Sequence, residues 1–168
     1  AVLYHNRWLQ QQGHAFADLE AALRQPGTDW LSETMSDDGI HFKVDPEPID
    51  IPGTEEELIW EKHKYDPRVT HLEGAYYITY CAQTMTETTR MGMTRTTDFK
   101  TFERMPFITS PWSRNCALLP EKIGGRYARF ERPMSGKDAI TFLSYSPDFI
   151  HWGDWKPLNL QTETWMRE

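Results

Sequence analysis

A chain of 168 residues with 39% hydrophobic and 26% charged side chains has the composition of one soluble globular domain. Its formal charge of −7, without any clustered run of Lys and Arg, argues against a nucleic-acid partner, and no apolar run approaches the roughly eighteen residues of a membrane span. The two cysteines, Cys81 and Cys116, have neither zinc-site nor disulfide spacing and point to a reducing, cytoplasmic compartment.

In chain order, Ala1 to Trp8 reads as an interrupted strand, from which a longer parent protein is expected. His14 to Gln25 reads as a short helical insertion, with Phe16, Leu19 and Leu23 at helical spacing and a stop at Pro26-Gly27. From Trp30 onward the pattern is β: short alternating runs, such as Ala75 to Cys81 and Ala139 to Leu143, separated by turn residues. No second helix is expected, and Glu55, Glu56 and Glu57 read as a solvated face.

One pattern recurs three times: Ser36-Asp-Asp-Gly-Ile-His-Phe42, Thr96-Thr-Asp-Phe-Lys-Thr-Phe102 and Ser146-Pro-Asp-Phe-Ile-His-Trp152. An Asp two residues after a hydroxyl can accept from backbone N–H groups and cap a turn, so Asp38, Asp98 and Asp148 read as architecture rather than as catalysts. Gly74-Ala-Tyr76 is echoed by Gly125-Arg-Tyr127, and Pro67 by Pro120. A period of roughly fifty residues holding about four strands is that of a propeller blade. The expected fold is therefore all-β, a single partial β-propeller domain over residues 1–168 with about three blades, fewer than the four that close a ring.

Within this frame the stretch Tyr65-Asp66-Pro67-Arg68-Val69-Thr70 sets an acid and a guanidinium two residues apart at a strand start. Pro67 disfavours the right-handed helical region for Asp66, which is expected to be extended, and period-2 alternation sends Asp66 and Arg68 to one side. The bland reading of the same residues is a surface ion pair.

The ordered set Tyr65-Asp-Pro-Arg-Val-Thr70, Glu73-Gly-Ala-Tyr-Tyr-Ile-Thr-Tyr80, Ser113-Arg-Asn-Cys-Ala-Leu-Leu-Pro-Glu-Lys-Ile123, Arg132-Pro133 and Ser144-Tyr-Ser-Pro-Asp-Phe-Ile-His-Trp-Gly153 resembles glycoside hydrolase family 130, over about residues 30–168. These are β-mannoside phosphorylases built as five-bladed propellers. The resemblance implies that Asp66 is the single catalytic acid, that Arg114 and Asn115 contact phosphate, and that Arg68, Lys122 and Arg132 extend that contact. It implies that Tyr65 lines the mannosyl subsite. One departure is Glu131, immediately before Arg132, where related sequences often carry His or another non-acidic residue.

The chemistry agrees with that set. An inverting hydrolase needs one carboxylic acid for the leaving oxygen and a second carboxylate to activate water. A phosphorylase needs only the acid, together with fixed cations that hold the anionic nucleophile. The activity implied is inverting phosphorolysis of β-mannosides, β-1,4-mannosyl-glucose or mannooligosaccharides, to α-mannose 1-phosphate. Its partners are carbohydrate and inorganic phosphate, the latter a co-substrate, with no other cofactor. The six His show no metal-ligand spacing, so no metal is expected, and a homo-oligomer is compatible with the sequence. A hydrolase on the same fold and a non-catalytic carbohydrate-binding propeller stand as alternatives.

Overall fold

Each of the repeated turns joins two antiparallel strands, and together they set the blade pattern. The computed structural model describes residues 32–84, 86, 88–135 and 138–158. The segments read from sequence as a strand at 1–8 and a helix at 14–25 lie outside the described residues. The first turn links β1 (Ser32–Met35) to β2 (Lys43–Pro48). The second links β5 (Thr89–Thr96) to β6 (Glu103–Met105), the outer half of a sheet that begins with β3 (His63–Leu72) and β4 (Ala75–Gln83). The third links β10 (Phe142–Ser146) to β11 (Gly153–Pro157), in a sheet that begins with β7 (Ser113–Leu118) and β8 (Tyr127–Ser135). A short β9 (Asp138–Ala139) pairs with the end of β8. The described residues thus form two four-stranded antiparallel blades and, preceding them, the outer hairpin of a third, a partial β-propeller.

The turn chemistry is the one read from sequence. Asp38 Oδ1 accepts from the N–H groups of Ile40 and His41, Asp98 Oδ1 from those of Lys100 and Thr101, and Asp148 Oδ1 from those of Ile150 and His151, all at 2.8–2.9 Å. The residue after each Asp has positive φ: Gly39 at 74°, Phe99 at 56° and Phe149 at 68°. A bulky residue in that region needs a compensating contact. Phe149 has one, stacked on Tyr127 at 3.7 Å and on Tyr77 of the neighbouring blade at 4.7 Å.

Two expectations are corrected. Thr54 opens a helix, α1 (Glu55–Ile59), through a reciprocal capping box: Glu57 N–H donates to Thr54 Oγ1, and Glu57 Oε2 accepts from Thr54 N–H. The three glutamates are its first turn, where negative charge suits the helix dipole. The strand expected over 139–143 is instead interrupted: Ala139 ends β9, Phe142 begins β10, and Ile140 and Thr141 lie between them.

The two blades pack through Tyr77, Cys81, Met91, Met93 and Ile108 on one side and Cys116, Leu118 and Phe149 on the other. Full burial of side chains of this size is worth about 1.5–3 kcal/mol each. Two cross-blade bonds fix the inner strands: Thr79 Oγ1 donates to the Cys116 carbonyl at 2.7 Å and Thr70 Oγ1 to that of Leu118 at 2.8 Å. These hold β7 alongside β3 and β4.

The opposite face of the first blade is closed by Ile49 and Ile51, packed on Tyr80 and Ala82. Behind them Glu61, just before β3, accepts from the Tyr80 hydroxyl at 2.8 Å and from both terminal nitrogens of Arg104. Arg104 also donates to the carbonyls of Ile51 and Pro52. Gly92 is required here, since a Cβ would stand 2.5 Å from the Tyr80 ring.

Candidate active site

The site is made by two matching bulges. In β3, Tyr65 pairs with Cys81 and Arg68 with Thr79, so Asp66 and Pro67 together face the single residue Tyr80. In β7, Arg114 pairs with Arg132 and Ala117 with Phe130, so Asn115 and Cys116 together face Glu131. The first bulged residue is left-handed in both strands, Asp66 at φ 52° and Asn115 at φ 59°.

This corrects the extended backbone expected for Asp66. Pro67 brings no N–H to the ladder and therefore suits a bulge, and the left-handed region avoids the right-handed one that a following proline disfavours. Asp and Asn tolerate that region better than other residues with a Cβ. Asp66 and Arg68 do come to one place, through the bulge rather than through strand alternation.

That place is Asn115. With its amide nitrogen towards Asp66 and its oxygen towards Arg132, Asn115 donates to Asp66 Oδ2 at 3.1 Å and accepts from Arg132 Nη2 at 2.6 Å. The reverse orientation would give its oxygen a 3.4 Å bond from Arg68 Nη1. It would also turn that oxygen against the carboxylate and the nitrogen against Arg132, so the first orientation is favoured. Arg68 Nη1 also donates to the Asp66 carbonyl at 3.1 Å, fixing the bulge from within.

Arg114 and Arg132 are direct register partners on neighbouring strands, a like-charge juxtaposition that is unfavourable unless an anion answers it. The Arg114 guanidinium lies 5.5 Å from the centre of the Tyr65 ring. Arg114 Nε, Arg132 Nε and the Tyr65 hydroxyl are buried without hydrogen-bond partners among the described residues. Burial raises the Tyr65 phenol above its ordinary value, as does the neighbouring Cys81, with Arg114 opposing.

Of the residues expected at the site, Tyr65, Asp66, Arg68, Arg114, Asn115 and Arg132 come together, and Lys122 does not. Its ammonium is 2.6 Å from Glu73 Oε1 and 4.2 Å from the Tyr127 ring centre, and the Glu73 hydrogen bond raises its pKa. Glu73 follows the far end of β3, some 20 Å along the strand from Asp66. The β7–β8 loop carries Lys122 there because β7 runs on past Arg114 and Asn115 to Leu118 before it turns.

Glu131 proves no obstacle to Arg132. It faces the other side of β8, where it accepts from buried Arg129, whose guanidinium stacks 4.0 Å over Trp152. A cavity of about 670 Å³ on that side is lined by Arg129, Glu131, Phe107 and Trp155, among others, and by none of the site residues. The residue missed from sequence is Cys81, buried and in register with Tyr65, its Sγ 4.0 Å from the Asn115 amide. The alternation of β4, with Tyr77, Thr79 and Cys81 on one face, was the available signal. Burial raises its thiol, and pushes that of Cys116 up to about 12. Among the described residues no three His, Cys, Asp or Glu side chains converge as a metal-binding group, and no helix is long and apolar enough to cross a membrane.

Residues 29–168 match the family described as beta-1,4-mannooligosaccharide phosphorylase, glycoside hydrolase family 130. The chain belongs to that family. A beta-1,4-mannooligosaccharide phosphorylase of Ruminococcus albus is 37% identical over 130 residues, 74% of this chain and 38% of that protein. A 4-O-beta-D-mannosyl-D-glucose phosphorylase of Bacteroides fragilis is 32% identical over 114 residues, 60% of this chain and 28% of that protein. Among solved structures, the beta-1,2-mannobiose phosphorylase of Listeria innocua, in complex with beta-1,2-mannobiose, superposes with a TM-score of 0.69 at 26% identity. That superposition covers 77% of this chain and 36% of that one. The chain therefore spans about two fifths or less of the length of these relatives.

Proposed function

We propose that the protein carrying this chain is an inverting β-mannoside phosphorylase acting on β-1,4-linked mannosyl-glucose or mannooligosaccharides. The observation that carries the reading is one acid, Asp66, tied through Asn115 to the guanidinium of Arg132, whose register partner on the neighbouring strand is Arg114. In this reading a phosphate oxygen, held by Arg114 and Arg132, attacks the anomeric carbon as the bond to the leaving oxygen breaks. Asp66 supplies the proton that the leaving oxygen gains, and the products are α-mannose 1-phosphate and the shortened sugar. Tyr65 lines the mannosyl subsite. The acid next to Arg132, Glu131, is turned away and paired with Arg129, so it does not stand beside Asp66 as the second carboxylate of a hydrolase. The β-1,4 linkage follows the family description and the R. albus relative, and the free, buried state of Cys81 and Cys116 supports a cytoplasmic location.

The test uses the full-length protein that carries these residues. Sugar release from a β-1,4-mannoside should require phosphate, and Asp66→Asn should lower turnover by about 10²–10⁴-fold with sugar binding kept. Arg114→Ala should raise the KM for phosphate far more than that for sugar. Release of free mannose in phosphate-free buffer would make the protein a hydrolase.

A further inference from the structure

We propose that Asn115 is a positioning residue for the acid: its N–H, donated to Asp66 Oδ2, keeps that oxygen the acceptor and sets the transferable proton on Oδ1. This rests on the reading of Asp66 as the proton donor. The geometry is a 3.1 Å bond from the Asn115 amide to Oδ2 and a 2.6 Å bond from Arg132 to the Asn115 oxygen, both built on the β7 bulge. A proton on Oδ2 would face the amide hydrogen, so the acid is protonated on its other oxygen. Donation by Arg132 polarises the amide and strengthens the N–H bond that Asn115 makes. One side chain thereby links the anion-binding side of the site to the orientation of its acid.

In the reaction the Oδ1–H bond breaks as the leaving oxygen gains a proton. The carboxylate that is left keeps its Asn115 bond, and water reprotonates it for the next cycle. The charged and titratable groups about Asp66 include Tyr65 and Arg68 on its own strand and Cys81 on β4, with Arg132 on β8 reached through Asn115 and Arg114 on β7 beside Tyr65. A change at Asn115 is therefore read against Arg132, Arg68 and Cys81, which lie at its side chain, and against Tyr65, which does not.

Asn115→Asp and Asn115→Gly both suit a positive φ, so the bulge is kept. In the full-length protein, Asn115→Asp replaces the donor with a second carboxylate, and the pair then shares one proton. The alkaline limb of the kcat–pH profile should rise by about one pH unit or more. Asn115→Gly should lower kcat by about tenfold or more, with the KM for phosphate changed less. Carbon-13 NMR titration of the Asp66 carboxyl supplies a readout independent of turnover, and its midpoint should rise in Asn115→Asp. An unmoved midpoint and limb, with only the phosphate KM increased, would make Asn115 a phosphate contact and overturn the proposal. If Asp66→Asn were fully active, the phosphorylase assignment of the acid would fall, while the NMR midpoint would still decide whether Asn115 holds this carboxyl. Should Asn115→Asp fail to fold, the kcat against KM split in Asn115→Gly decides alone.

Discussion

Replacing Arg104 with Met should unfold the blade that carries Asp66 at a markedly lower temperature. The Glu61 side chain is 0% exposed and that of Arg104 9%, so the pair is shielded from solvent. Without Arg104 the carboxylate keeps, among the described residues, the Tyr80 hydroxyl at 2.8 Å and the Lys64 ammonium at 3.7 Å. The carbonyls of Ile51 and Pro52 lose their guanidinium donor as well. Breaking one side of a buried pair typically costs about 3–5 kcal/mol, because the remaining charge is stranded. At about 2.1 cal/mol/K per residue, a full-length protein of its relatives' size, roughly 340 residues, shifts by about 1.4 °C per kcal/mol, so its melting temperature should fall by roughly 4–7 °C. The assay is thermal and urea denaturation of the full-length protein. The control is the triple variant Glu61→Leu, Tyr80→Phe, Arg104→Met, which removes the stranded carboxylate and hydroxyl and leaves the Ile51 and Pro52 carbonyls as the groups without their donor, so part of the loss should return. A change below about 1 kcal/mol in Arg104→Met would refute the reasoning and make the pair a surface-like contact.

Two further outcomes follow from the geometry. Lys122→Ala should leave the KM for phosphate within about twofold, since Lys122 pairs with Glu73 away from the site; a tenfold increase would return it to the anion site. The turn aspartates give an acid limb to stability: backbone bonds from Thr101 and Lys100 lower Asp98 to about 2 from 3.8, while Asp38 is lowered further by the His41 side chain and then by backbone bonds, and Asp148 by backbone and side-chain bonds from His151. Depressed values mean that this stabilisation is whole above the unfolded value and is lost as pH falls through the folded one, so it should fade from about pH 4 to pH 2 and below. A triple Asp→Asn variant that loses as much stability over that window as the parent would refute the assignment.

What the sequence made legible follows from how local each interaction is. The three turns were readable because their bonds run between residues two or three apart, and their recurrence gave the blade period. The α1 helix is equally local: Thr54-Glu-Glu-Glu57 has capping-box spacing, but three successive glutamates also fit a solvated surface run. The Asp66 backbone was not readable from Pro67 alone, since a missing N–H suits a bulge as well as an extended strand, and the choice is made by the pairing with β4. Lys122 was misplaced because motif order along the chain does not say where a strand ends.

The pairing of Asp66 with Asn115 is the most informative case, because it corrects the repeat: the sequence aligns Pro67 with Pro120, whereas the two bulges align Asp66 with Asn115 and Pro67 with Cys116. The two residues are forty-nine apart, close to the blade period, and each opens the bulge on the inner strand of its blade. One blade therefore offers a carboxyl and the next an amide at the same structural position, and both sides are left-handed positions where Asp and Asn fit. The inner strands are held side by side by Thr79 and Thr70 bonding to β7 carbonyls, so equivalent positions on successive blades necessarily meet. A propeller repeat thus does more than supply a scaffold: it brings the same backbone device round the ring, and the side chain placed on it differs from blade to blade. In this chain that difference sets the Asp66 carboxyl beside the Asn115 amide, with Arg132 of β8 on the amide's other side.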